Sequence, residues 1–305
     1  MLISVHPMHA TLAFPFTPVT WTAVADTTFS LSNINAINYS SSLNLYVVVG
    51  NNGKLATSVD TQTWIARESN FDENSIFCIA YANNQYVIGG SSGKISTSPD
   101  GINWTARSSG FGATPILAMT YLPAASLWIA AGGSGKLATS VDGISWVLRT
   151  SSFGTTYING LSSSNSAAVA VGYDGKLATS TNGTTWTQRT SSFGTSSIFA
   201  VTSSTGGFFF AGGEAGKFAT SANGTTWVQT FPTSSFGAST VRAVDISPEG
   251  TYIAGGASGK LATSFDGITW IQRDSGFGTL NINGVYIDDN NGLAVGSSGR
   301  ITYSV

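Results

Sequence analysis

A hexapeptide close to Gly-Lys-Leu-Ala-Thr-Ser returns seven times along this chain, and its spacing leaves few folds open. Its basic residue falls at Lys54, Lys94, Lys136, Lys176, Lys217, Lys260 and Arg300, at intervals of 40, 42, 40, 41, 43 and 40 residues. A tryptophan follows each of the first six by ten residues: Trp64, Trp104, Trp146, Trp186, Trp227 and Trp270. Arg300 has no room for one before Val305, and the unmatched tryptophan stands at the other end, as Trp21. Self-similarity at this period marks an array of one supersecondary unit, in which each copy buries its apolar face only against its neighbours.

Each unit reads as four short strands. In one copy they are Ser197 to Val201, Gly207 to Ala211, Gly216 to Thr220 and Thr226 to Gln229, rich in β-branched and aromatic residues and bounded by Gly, Asn and Ser. The C-terminus supplies three strands of a last unit, and the stretch around Trp21 supplies the missing fourth. Sharing a unit between the termini closes a ring and removes open sheet edges. The expectation is therefore an all-β, seven-bladed β-propeller of four-stranded blades over residues 17–305, preceded by an extension over residues 1–16. A stacked solenoid would instead need polar capping repeats.

Between the third and fourth strands runs Ser-x-Asp-Gly-x-x-Trp, as in Ser98 to Trp104, Ser140 to Trp146 and Ser264 to Trp270. Asn182 and Asn223 replace the Asp in two units, and Asp60 lacks the following Gly. Asp-Gly and Asn-Gly suit a two-residue hairpin turn, whose central residues need positive φ. The segment resembles the Asp-box (BNR) repeat of sialidase-like propellers, shorter by one residue between Asp and Trp. With the recurring Ser-Ser-Phe-Gly, the longer consensus is similar to repeats of bacteriophage tail-fibre and other virion-associated proteins. It also resembles the repeats of photosystem-assembly propellers. The resemblance implies the propeller fold and a virion or extracellular-surface setting.

Only 9% of the residues are charged, with a net charge of −2, which argues against nucleic acid or acidic membranes as partners. A lone Cys78 excludes an internal disulfide framework. The apolar N-terminus has no Lys or Arg and so lacks the basic region of a secretory signal, and no stretch approaches bilayer-spanning length. Gly89 to Lys94 has the look of a phosphate-binding loop but leads into a strand rather than a helix. His6 and His9 are too few for a metal site. No metal or cofactor is expected. The sequons at Asn103, Asn182 and Asn223 would matter only in a eukaryotic secretory route.

Of thirteen Lys and Arg residues, seven form the Gly-Lys series and five follow a tryptophan by three: Arg67, Arg107, Arg149, Arg189 and Arg273. A two-residue turn centred between Asp60 and Thr61 would set Lys54 directly opposite Arg67, and likewise in four other blades. Like charges facing across a sheet are unfavourable, so something should compensate. One answer is local, with side chains donating to loop carbonyls and lying on Phe111, Phe153, Phe193, Phe236 and Phe277. The other is a basic ring for an anionic surface glycan, formed by all twelve residues on one face, with the Asp turns making the opposite face acidic. Arg242 alone is outside the pattern, at an innermost position filled elsewhere by Asn35, Phe77, Leu117, Asn159, Phe199 and Asn283, and is a candidate channel residue.

The resemblance to sialidases brings a glycosidase into view, but no Arg-Ile-Pro motif occurs. The carboxylates Glu68, Asp72, Glu73, Asp174, Glu214 and Asp274 are scattered over different blades, whereas a glycosidase needs two close together. The function expected is a non-enzymatic attachment propeller on a virion or cell surface, recognising host-surface glycans. An assembly propeller docking another protein is the alternative, favoured if the departures from consensus (Asp174, Glu214, Arg242 and the Glu68 to Glu73 segment) gather on one flank.

Overall fold

The computed structural model describes residues 20–230 and 235–304. His6, His9 and the N-terminal extension lie outside the described residues.

Seven four-stranded antiparallel sheets form the blades of a ring. Blade 1 comprises Ile34–Ser40, Leu45–Gly50, Leu55–Ser58 and Ile65–Arg67, from the central channel outwards. Blades 2 to 6 repeat this order, beginning at Ile76, Ile116, Ile158, Ile198 and Val241. Blade 7 takes Ile282–Ile287, Gly292–Gly296 and Ile301–Ser304 from the C-terminus and Thr22–Ala23 from the N-terminal side. Thr22 pairs with Tyr303 and Ala23 with Thr302, and Thr27 Oγ1 donates to the Gly299 carbonyl (2.6 Å). The ring closes as the offset of Trp21 demands. No helix among the described residues is long and apolar enough to cross a membrane.

Burial explains which residues fill each strand. The second strand, such as Leu45–Gly50, is buried at every position, because neighbouring blades cover both of its faces. It is accordingly apolar throughout rather than alternating. The outer strand, such as Thr105–Arg107, is largely exposed and polar. Between blades, large apolar side chains interlock: Phe71, Ile76, Tyr86 and Trp104 share one cluster with Val47, Val49 and Leu55 of the preceding blade. Six of the seven blade tryptophans are at most 7% exposed, while Trp146 is half-buried.

The Asp-containing turns differ from the expected two-residue hairpin. Thr57 pairs with Ile65, leaving seven residues in the loop. Asp60 Oδ1 accepts hydrogen bonds from Ser58 Oγ and from the backbone N–H groups of Gln62 and Thr63, and Trp64 Nε1 donates to the Thr61 carbonyl. The carboxylate thus organises a longer loop, as do Asp100, Asp142, Asn182, Asn223 and Asp266. The N–H donors hold Asp60 down at about 2. For Asp266, burial raises the carboxyl, but the Thr269 and Ile268 N–H groups bring it to about 2.

An odd loop length slips the register by one residue, which exchanges the two faces of a strand. Arg67 is therefore opposite Leu55, not Lys54. Arg107, Arg149, Arg189 and Arg273 face Ile95, Leu137, Leu177 and Leu261 in the same way. The five like-charge pairs expected from the sequence do not form.

Candidate functional site

The Gly-Lys loops and the Ser-Ser-Phe-Gly loops share one face of the ring, and the Asp loops lie on the other. All thirteen Lys and Arg residues belong to the first face, together with seven carboxylates. The opposite face carries eight carboxylates (Asp60, Asp100, Asp142, Asp245, Glu249, Asp266, Asp288 and Asp289) and no Lys or Arg. The small net charge conceals this asymmetry.

On the basic face most of the repeated cations are engaged locally. Lys54 Nζ donates to the Phe29 carbonyl (2.8 Å), Lys136 to Phe111 (2.8 Å), Lys176 to Phe153 (2.9 Å) and Lys217 to Phe193 (3.1 Å). Lys94 bonds the Phe71 carbonyl and forms an ion pair with Asp72 (2.6 Å), and Arg300 donates to the Gly276 carbonyl. Lys260 holds the equivalent half-buried position. These ammonium groups pin one blade's loop to the next; the Phe rings are buried at the blade interfaces, and Phe29 and Phe71 complete their series. Arg67, Arg107, Arg149, Arg189 and Arg273 each donate Nε to a threonine Oγ1 on the neighbouring strand, between 2.9 and 3.1 Å. Beside them lie clefts of about 310 Å³ at Lys54 and Arg67 and about 740 Å³ at Lys94 and Arg107.

The channel mouth is built differently. In every blade the inner strand is bulged one residue after its start, where pairing skips Asn35, Phe77, Leu117, Asn159, Phe199, Arg242 or Asn283. A bulge leaves its extra residue outside the ladder and re-aims the side chain. All seven line one depression of about 280 Å³, joined by Tyr173. The three asparagines are fixed by donating Nδ2 to the first-residue carbonyl of the next blade's inner strand: Asn35 to Ile76, Asn159 to Ile198 and Asn283 to Ile34. Arg242 is exposed and has no hydrogen-bond or ion-pair partner among the described residues.

A second cavity, of about 510 Å³, adjoins this mouth between blades 4 and 5. It is lined by Thr155, Thr156, Tyr157, Tyr173, Asp174, Ser197, Phe199 and Glu214, so Tyr173 and Phe199 form a wall common to both. Tyr157 and Tyr173 stack at 5.6 Å between centroids, and Phe199 meets Tyr173 edge-on at 6.0 Å. Glu214 Oε2 accepts the Ser197 N–H (2.9 Å). The sequence pattern scattered Asp174 and Glu214 over separate blades; the ring brings them into one cavity. The Glu68 to Glu73 segment stays apart, with Glu68 and Asp72 on the outer cleft beside Arg67. The sequence reading missed Tyr157 and Tyr173, since no local motif marks them.

Cys78 is buried in an apolar cluster, and burial pushes its thiol up to about 12. Among the described residues no group of three or more His, Cys, Asp or Glu could hold a metal ion.

No family model matches the sequence, and no curated protein matches it either. Solved structures share its fold. YCF48 from Cyanidioschyzon merolae superposes with a TM-score of 0.74 at 17% identity, over 93% of this chain and 98% of that one. A structure of YCF48 bound to D1 peptide gives 0.72 at 17% identity, over 98% and 99% of the two chains. Virginiamycin B lyase from Staphylococcus aureus, crystallised with quinupristin, gives 0.83 at 9% identity, over 94% and 99%. The Asp-box and tail-fibre resemblances find no counterpart among these. The expectation that the chain is not an enzyme is corrected here, because this architecture carries a lyase in S. aureus and so supplies no ground for excluding activity.

Proposed function

We propose that this chain is a docking propeller that binds a peptide segment of a protein partner at the channel mouth and the adjoining loops of blades 4 and 5. One observation carries the reading. Four residues that depart from the repeat (Tyr173, Asp174, Glu214 and Arg242) line two joined cavities, the central mouth and the one beside it between blades 4 and 5, while Glu68 and Asp72 of the Glu68 to Glu73 segment lie apart. Folding needs the same residues in each blade, whereas a site needs different ones. The fold also accommodates a peptide ligand in YCF48. Panning a random peptide library on the purified chain should yield binders whose affinity falls when Tyr173 and Phe199 are replaced by alanine, and holds when Lys94 and Arg107 are. Recovery of no binder, or of binders indifferent to the mouth, would overturn the proposal.

The clefts beside Lys54 and Arg67 and beside Lys94 and Arg107 favour a second reading, an anionic surface glycan bound around the rim. Repetition over several blades would give avidity from weak sites. Salt-sensitive binding of acidic polysaccharides, lost in a multi-blade Lys→Ala variant, is its test. A virion or outer-surface location belongs to this proposal.

A further inference from the structure

Opposite charges are held apart at the two joined cavities. Arg242 lies in the channel mouth, and Asp174 and Glu214 lie across the Tyr173–Phe199 wall. The ion pair between Lys94 and Asp72 is the one recorded among the described residues, so neither carboxylate is neutralised by Arg242 or by a repeat lysine. The neighbouring ammonium groups are committed elsewhere: Lys176 to the Phe153 carbonyl and Thr156, Lys217 to the Phe193 carbonyl and Ser196.

The surroundings match the charges. Tyr157 and Tyr173 are about 40% exposed and stacked, offering aromatic surface beside two carboxylates. An aromatic face with adjacent negative charge is the chemistry that holds a lysine ammonium or an arginine guanidinium. On the other side, Arg242 stands in the mouth between Phe199 of blade 5 and Asn283 of blade 7, with Phe77 and Leu117 across the channel. There a guanidinium with no partner among the described residues can pair in two-pronged fashion with a carboxylate.

We infer that the joined site takes a peptide segment carrying both signs of charge, with an acidic group seated on Arg242 and a basic side chain in the Tyr157–Tyr173 cavity between Asp174 and Glu214. This rests on the docking function proposed above and specifies its ligand. The aromatic wall sits between the two anchors, so the residues between the charges should be apolar.

The test uses fluorescein-labelled peptides in fluorescence anisotropy with the full chain. Four versions carry Lys and Asp, Lys and Asn, Gln and Asp, or Gln and Asn, each with one to five apolar residues between the two positions. One spacing of the Lys and Asp version should bind best, and neutralising either end should weaken it about tenfold or more, as for a lost charge-assisted bond. R242Q should erase the advantage of Asp while keeping that of Lys, and the D174N/E214Q variant should do the reverse. Equal binding of all four versions, or loss of both preferences in both variants, would overturn the inference. If none of them binds while peptides from the random library do, the inference fails and the docking function stands. Absence of any peptide binder sinks both.

Discussion

Replacing Trp21 with alanine tests whether the ring is held shut by a side chain rather than by backbone pairing. The closing strand contributes two paired residues, so few ladder hydrogen bonds attach it. Trp21 is 7% exposed and belongs to the same buried cluster as Ile253, Leu261, Phe277 and Ile282. It also lies over Gly292, where a Cβ would come within 2.9 Å of the indole. Truncating a buried tryptophan costs about 3–5 kcal/mol. The lower end applies here, because Trp21 Nε1 has no hydrogen-bond partner among the described residues, whereas Trp186 Nε1 donates to the Gly183 carbonyl (3.1 Å). The equally buried Trp186 should therefore cost about 1 kcal/mol more on truncation, the worth of that hydrogen bond. With an unfolding entropy of about 2.1 cal/mol/K per residue, a loss of about 3 kcal/mol lowers the melting temperature of a chain this size by about 5 °C. Scanning calorimetry of Trp21→Ala beside Trp186→Ala reads both effects. A loss under about 1 kcal/mol for Trp21→Ala, with the full loss for Trp186→Ala, would refute closure by this residue.

Two further outcomes follow from the opposite face. Burial pushes the Asp245 carboxyl up to about 7 against N–H donors from Ile246 and Ile287, the Thr202 side chain also opposing it. The folded chain then keeps a proton that the unfolded chain releases near pH 4, so stability falls as pH rises between about 4 and 8. Asp245→Asn should flatten that decline and gain about 1–3 kcal/mol at pH 8, discounted for partial solvent access; chemical denaturation at pH 5 and pH 8 measures it, and an unchanged pH slope would contradict it. Gly101→Ala should cost about 1–3 kcal/mol, since φ there is +72° and the added Cβ would lie 2.8 Å from Leu45 Cδ2. Thermal unfolding that matches the parent would show that the loop relaxes around the new methyl.

The order of the blades and the closure of the ring were legible in the chain because each depends on a local pattern that repeats. A tryptophan ten residues after a basic residue implies a hairpin wherever it occurs, and Trp21 without its partner implies a shared blade. The basic ring was legible as a pattern but not as contacts. The Lys54 ammonium reaches the Phe29 carbonyl because adjacent blades press two loops together, a relation that no single repeat contains.

What the sequence determined by itself is the architecture, because strand propensity, turn chemistry and burial are properties of each forty-residue unit and are written seven times over. Tertiary structure alone decided the register and the site. Register depends on how many residues the turn Asp or Asn gathers into its loop, which neither Asp60-Thr61 nor the Asp-Gly pairs of other blades reveal. The site depends on placement in the ring: Asp174 and Glu214 share a cavity because their blades are neighbours, and Arg242 stands in the adjoining mouth because each inner strand bulges at the same step. Positions that differ from the repeat share a cavity only where the ring sets their blades side by side.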